Sequence, residues 1–372
     1  MMAAAAKPKQ YMYKLGDRIY GVMDHPKYKA VEGPDYKYRF DKKTGFFARW
    51  GKDQANDPLF SPIGPELLGC EISINGCPNA NNCAFCYKNN QNIPPTNMSL
   101  ATFKTILDKF PKTLTQIAFG ITGVQTNPDF IPMMEYCRSC GYIPNFTLSG
   151  IDLTDDIAKE CARLVGALAV SAYQSDKNVC YDTVKKFVDM GLKQTNIHIM
   201  VSEETEEFVY EVLNDRLKDP RLQDMNAIVL LAVKPKGRAK DGFHPLNVKG
   251  YQKLIKFCFD HEILIGFDSC TAPKFEKSIK SMDLDPKRIQ RLTECSESCE
   301  SGLFSSYINV LGEYWHCSFA ENEDGQESID VVAAEDFLGS VWYHPMVIKW
   351  RRSLIENMSE GCRQCNIFQE IN

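Results

Sequence analysis

The chain has 372 residues, 44% of them hydrophobic and 24% charged, with a formal net charge of −5. These values fit a soluble globular protein of one large domain and a smaller one, and they exclude a general electrostatic pull toward nucleic acid. No apolar run reaches membrane-spanning length, and the start, Met1-Met2-Ala3-Ala4-Ala5-Ala6-Lys7, lacks a signal-peptide core, so a cytoplasmic protein without membrane contact is expected.

Residues 1–62 read as a short N-terminal β extension. Within it, 36–40 and 46–50 form two strands joined by a turn that contains Gly45. Aromatic residues alternate there with Lys and Arg, which suits either a solvated hairpin with one packed face or a docking surface for an acidic peptide.

From 63 to 272 strand and helix patterns alternate. Apolar runs occur at 68–74, 116–120, 143–148, 166–172, 196–201 and 226–233, with a further one at 263–268. Amphipathic stretches lie between them, with readable ends: Asn127-Pro128 and Ser202 open two helices, and Gly141 and Gly191 close two. Repeated βα units imply parallel strands with right-handed crossovers. The expectation is therefore an α/β fold, a partial (β/α)6 barrel of the TIM type, with reactive groups at the C-terminal strand ends.

Fifteen cysteines is a high number, and in a cytoplasmic protein metal binding explains it better than disulfides. Cys137, Cys140, Cys161, Cys180 and Cys258 fall on predicted helices and read as buried fillers. Cys77, Cys83 and Cys86 differ, because they follow the first apolar run in an Asn-, Gly- and Pro-rich loop at C-x5-C-x2-C spacing. Soft thiolates so close together select zinc, copper(I) or an iron–sulfur cluster, and three ligands leave one position open. A structural zinc site with Cys70 as fourth ligand is the alternative.

Cys83-Ala84-Phe85-Cys86-Tyr87, after that strand, resembles the radical S-adenosylmethionine (radical SAM) superfamily, although the first gap is five residues here and usually three there. The resemblance implies a [4Fe–4S] cluster on Cys77, Cys83 and Cys86 whose open iron binds S-adenosylmethionine. It also implies cofactor contacts from Phe85 and Tyr87, from Gly120, Thr122 and Gly123 after the second strand, from Ser149 and Ser171 at the third and fourth strand ends, and from Met200 and Val201 at the fifth. The segment at 120–123 lacks the acidic residue the family usually has there. Lys234-Pro235-Lys236-Gly237-Arg238 follows the sixth strand as a basic loop able to hold a carboxylate. Asp268 and Cys270 end the seventh run; Asp268 is a candidate general base or a turn cap, and Cys270 a candidate cluster ligand, hydrogen donor or buried thiol.

Past 273 the pattern shifts to short strands and loops. Cys299, Gly312 and Cys317 stand as C-x12-G-x4-C, and Cys362 and Cys365 as a later C-x2-C, with a hairpin between the first two cysteines and a helix over 342–358. This set resembles the twitch module, the short relative of the SPASM domain, and implies a second, auxiliary [4Fe–4S] cluster on Cys299, Cys317, Cys362 and Cys365, with Cys295 as a substitute; structural zinc is the alternative. By the same resemblance the enzyme modifies a ribosomally made precursor peptide by cross-linking, epimerisation or splicing. It then needs a separate peptide-recognition partner and a ferredoxin- or flavodoxin-type electron donor. A dehydrogenase acting on a small-molecule alcohol and a non-enzymatic zinc-binding interaction protein are the competing readings.

Overall fold

The computed structural model describes residues 7–79, 83–89, 94–359 and 361–371. The chain opens with an antiparallel meander: β1 (Lys9–Leu15), β2 (Arg18–Asp24), β3 (Tyr28–Glu32), β4 (Lys37–Asp41) and β5 (Phe47–Trp50), paired in sequence order. The anticipated hairpin is β4 and β5. Three earlier strands extend it, each with the period-two alternation of a half-buried sheet. The inward set is Tyr20, Val22, Val31, Tyr38 and Phe40, which pack with Ile63, Leu303, Phe304 and Trp350 into a core of their own. The extension therefore joins the two ends of the chain.

The central layer follows, with β6 (Leu67–Glu71), α1 (Leu100–Asp108), β7 (Gln116–Gly120), α2 (Phe130–Ser139), β8 (Ile143–Leu148), α3 (Asp155–Leu164), β9 (Leu168–Ser171) and α4 (Lys177–Asp189). It continues through β10 (Thr195–Val201), α5 (Glu206–Lys218), β11 (Ile228–Ala232), α6 (Val248–Asp260) and β12 (Ile265–Phe267). Strands β6 to β12 lie side by side in chain order and all pair in parallel, the arrangement that one helix per crossover enforces. Helix faces cover the sheet. Phe103, Ile106 and Leu107 of α1, and Cys180, Val184 and Phe187 of α4, are fully buried against it. Helix α2 begins two residues later than expected, with Asp129 rather than Asn127 at its N-cap. Asn127 Oδ1 accepts from Asp129 N at 2.9 Å, while Asn127 Nδ2 donates to the carbonyls of Ile72 and Met98 at 2.8 and 2.9 Å. Ser202 likewise stands ahead of α5, its hydroxyl accepting from Thr205 N at 3.2 Å.

The remaining elements are α7 (Ala272–Lys280), α8 (Pro286–Glu294), β13 (Ser305–Ile308), β14 (Glu313–Trp315), β15 (Ile329–Asp330), α9 (Pro345–Glu356), β16 (Met358–Ser359) and β17 (Cys362–Arg363). The C-terminal hairpin is not a free-standing sheet. Strand β13 pairs in parallel with β6, so β13, β14 and β15 extend the central sheet to ten strands among the described residues. The loop after β6 is thereby placed between the parallel sheet and the C-terminal segment. Among the described residues, no helix is long and apolar enough to cross a membrane.

Candidate functional site: a cysteine loop and a four-thiol cavity

Cys77, Cys83 and Cys86 lie on the loop that leaves the C-terminal end of β6. Cys83 Sγ interacts directly with Cys86, and Cys77 is also within the electrostatic reach of Cys86. Burial raises the Cys77 thiol, and the bond to Cys86 together with burial raises that of Cys83, while the nearby Arg238 guanidinium opposes both. Two backbone contacts hold the loop. Arg238 N donates to Cys86 O at 3.0 Å, and Gly237, at φ +59°, lies so close that a Cβ there would sit 2.4 Å from Tyr87 O. The Pro-x-Gly-Arg segment thus clamps the far end of the cysteine loop. Gly123, three residues past β7, lies against the start of the loop, since a Cβ would meet Pro78 Cδ at 3.0 Å, and Asp152 Oδ2 at 2.5 Å.

A pocket of about 510 Å³ opens beside this loop, over the ends of β9 and β10. Ala84 and Phe85, between the second and third thiols, form one wall; Tyr173, Met200 and Phe243 form others. The Phe85 ring lies parallel to that of Tyr173 at 6.1 Å and edge-on to Phe243 at 5.9 Å. Such aromatic walls suit a flat heterocycle. Of the expected cofactor residues, Phe85 and Met200 line this pocket. Ser171 is a hydrogen-bond partner of the Tyr173 side chain, whereas Val201 is fully buried in the core. Ser149 Oγ accepts from Ile151 N at 3.3 Å, shaping the turn after β8. Thr122 bonds Asn75 O and Thr126 Oγ1 and so braces the start of the cysteine loop, and Gly120 packs on Glu71.

Tyr87 turns away from that pocket and packs on Phe319 at 4.5 Å between ring centres. Beside it, Lys88 Nζ donates to Tyr307 Oη at 2.7 Å, to Glu71 at 3.1 Å and to Glu321. Burial works against the charge on Lys88, but Tyr87, Glu71 and Glu321 raise its pKa and keep it an ammonium.

A second cavity, about 210 Å³, lies between the end of β12 and the C-terminal segment. Cys270, Cys299, Cys317 and Cys365 line it, with Lys234 and Asp268 at one side. Asp268 accepts from Lys234 and from Thr271 Oγ1, so its carboxylate serves a buried ion pair and the turn into α7. Burial foremost, then neighbouring thiols, push Cys317 up to about 11 and Cys299 up to about 12. Neutral thiols of this kind release protons when they ligate a metal. Cys362 is elsewhere: its thiol faces Glu276 of α7. Cys295 is exposed at the end of α8. Cys137, Cys161, Cys180 and Cys258 are buried, as fillers should be, and Cys140 is half-buried.

Sulfur donors in both places fit an iron–sulfur cluster by their chemistry. Among the described residues, no three His, Cys, Asp or Glu side chains close on one point as a single ion requires. Cys270, Cys299, Cys317 and Cys365 line one cavity instead.

Several groups carry no motif. Tyr173 and Phe243 are aromatics on loops, and Lys88 follows the cysteine signature without belonging to it. His198, in β10, bonds Thr147 Oγ1 at 3.3 Å, and burial lowers its pKa to about 4. The only hint was a basic residue in the otherwise apolar run Ile197-His198-Ile199. A third cavity of about 620 Å³ separates the N-terminal meander from the start of β8; Lys9, Lys27, Lys42, Lys43 and Arg138 line it against Asp24 and Asp41.

Three solved structures set this geometry in context. The chain is similar to Streptococcus suis SuiB bound to S-adenosylmethionine, at 13% identity over 83% of this chain and 72% of that one, with a TM-score of 0.60. It is similar to SuiB bound to precursor peptide SuiA, at 13% identity over 82% and 76%, with a TM-score of 0.61. It is also similar to native anSMEcpe with bound S-adenosylmethionine and Cp18Cys peptide, at 12% identity over 82% and 88%, with a TM-score of 0.56. The chain shares their α/β fold. No protein-family model and no curated protein matches it.

Proposed function

We propose that the chain is a radical SAM enzyme that modifies a ribosomally made precursor peptide. The observation that carries this reading is the set of three neighbouring thiols, Cys77, Cys83 and Cys86, beside a 510 Å³ aromatic pocket at parallel strand ends. The shared fold supports it, because SuiB was solved with S-adenosylmethionine and with a precursor peptide.

The three thiols would hold a [4Fe–4S] cluster with one iron open, which supplies the electron for reductive cleavage of S-adenosylmethionine. The chain's own residues do the rest. Phe85, Tyr173 and Phe243 receive the adenine between aromatic faces, and Ser171 anchors Tyr173 in place. Tyr87, packed on Phe319, closes the loop against the C-terminal segment and keeps water from the reacting centre. The β6–β11 strands with their helices read as a partial (β/α)6 barrel over 63–272, followed by a twitch-like module over 273–372 that holds an auxiliary cluster. The cationic groove between the extension of 1–62 and β8 suits an acidic stretch of the peptide. A separate recognition protein and a small electron-transfer protein complete the system, which we assign to the cytoplasm.

The test is anaerobic reconstitution with iron and sulfide, then S-adenosylmethionine, a reductant and short peptides encoded beside the protein. Mass spectrometry should find 5′-deoxyadenosine and a change in peptide mass. Deoxyadenosine with every peptide intact would move the substrate to a small molecule. A zinc-containing, iron-free protein that makes neither product would overturn the reading.

A further inference from the structure

We propose that the second metal centre is held by Cys270, Cys299, Cys317 and Cys365, and that Cys362 stands outside it. The identity of the metal rests on the function proposed above; the ligand set rests on geometry alone. The four sulfurs come from separate places and meet on one 210 Å³ cavity. Cys270 lies on the turn between β12 and α7, Cys299 between α8 and β13, Cys317 two residues beyond β14, and Cys365 two residues beyond β17. Cys299 and Cys317 each feel the charge of Cys365, and Cys270 feels that of both Cys299 and Cys317.

Strand β17 explains why Cys362 is absent from this set. Neighbouring residues of a strand point to opposite sides. Arg363 takes the cavity side: its Nε donates to Cys299 O at 2.5 Å and its Nη2 to Ser298 O at 3.0 Å, while its backbone N donates to Ser298 Oγ at 3.2 Å. Cys362 is thereby turned to the other side, where Glu276 of α7 receives it and Lys280 lies near. Bringing Cys362 to the cavity would expel Arg363 and break three hydrogen bonds. The C-x2-C pair thus places one sulfur, not two, at the centre.

A buried cation lines the same cavity as Cys270: Lys234 Nζ pairs with Asp268 and lies 4.9 Å above the Phe319 ring. Since Cys270 follows β12, the edge strand of the central sheet, the centre fastens that edge to the C-terminal segment.

The experiment starts from a C77A/C83A/C86A variant, in which only the second centre remains, reconstituted anaerobically with iron and sulfide. Iron and zinc per chain are measured by plasma mass spectrometry, with the cluster's electron paramagnetic resonance signal as a second readout. Adding C270S or C365S should remove at least half of the bound metal or replace the four-iron signal, and C362S should match the parent. Loss with C362S and retention with C270S overturns the assignment, as does a parent that binds neither metal. A parent that binds zinc instead of iron makes the second centre structural and leaves the reading of Cys77, Cys83 and Cys86 standing, while the same C270S–C362S comparison still decides the ligand set. If C270S does not fold, anomalous diffraction at the metal edge on unsubstituted protein decides instead: a metal bonded to Cys362 and not to Cys270 overturns the assignment.

Discussion

Gly237 is the residue on which the cysteine loop leans most closely. Its φ of +59° is open to glycine at little cost, and the backbone oxygens of Cys86 and Tyr87 occupy the space of a side chain, 2.5 and 2.4 Å from an ideal Cβ. Neither oxygen can yield without moving the third thiol. Gly237→Ala should therefore lower Tm and reduce the iron bound per chain to well below the parent's after reconstitution; equal iron and equal Tm would refute the clamp. His198 makes a second prediction. Burial lowers its pKa from 6.5 to about 4, so folding disfavours the imidazolium. Its neutral form is native above pH 6.5; as pH falls from 6.5 to 4 the unfolded chain takes the proton first, and roughly 3 kcal/mol of stability is lost across that window. His198→Gln should flatten that part of a stability–pH curve measured by urea denaturation, and an unchanged slope would show that other groups set it. The cysteines at 77, 83 and 86 were legible because their spacing is itself a chemical statement. His198 was not, because burial and the partner on β8, two strands away across β9, arise only once the sheet is assembled.

Among the elements, the parallel strands were legible and the N-terminal meander was only half so. Runs such as 116–120 and 143–148 carry large apolar residues at alternate positions, Ile117 and Phe119 in one and Phe146 and Leu148 in the other, and the strands occupy those same residues. The β1 segment, Lys9–Leu15, is mostly exposed polar sequence with aromatics at alternate positions, a pattern that becomes a strand only through pairing with β2. Where the extension packs follows from β4: Phe40 is completely buried, while Phe46, before β5, is 70% exposed. Phe40→Ala should cost about 3–5 kcal/mol through the cavity it leaves, and Phe46→Ala should fall within about 0.5 kcal/mol of the parent, both by urea denaturation. Because Phe40 shares its core with Leu303, Phe304 and Trp350, the first variant should loosen the C-terminal segment as well. Equal losses from the two variants would mean that the sheet does not pack as described.

At the scale of the whole molecule, the cysteine loop and the four-thiol cavity are joined by a short set of buried polar contacts. Lys88 connects the cysteine loop to Glu71 on β6, to Tyr307 on β13 and to Glu321. Lys236, from the clamp loop, donates to Phe319 O at 3.1 Å and to Glu323 at 2.8 Å. Residues 319–323 therefore touch both the loop of the first centre and, through Phe319, the cavity of the second. No local pattern announces this, since Lys88 and Glu321 stand 233 residues apart. Lys88→Met leaves two buried carboxylates facing each other without a cation, a loss of about 3–5 kcal/mol for such a site. Hydrogen exchange should then rise in two separate peptides, one spanning 83–89 and one spanning 317–323, while α3 keeps its protection. Adding Glu321→Gln to that variant removes one stranded charge and should recover part of both the stability and the protection. Faster exchange confined to 83–89 would show that Lys88 holds its own loop alone, and that the two centres move independently.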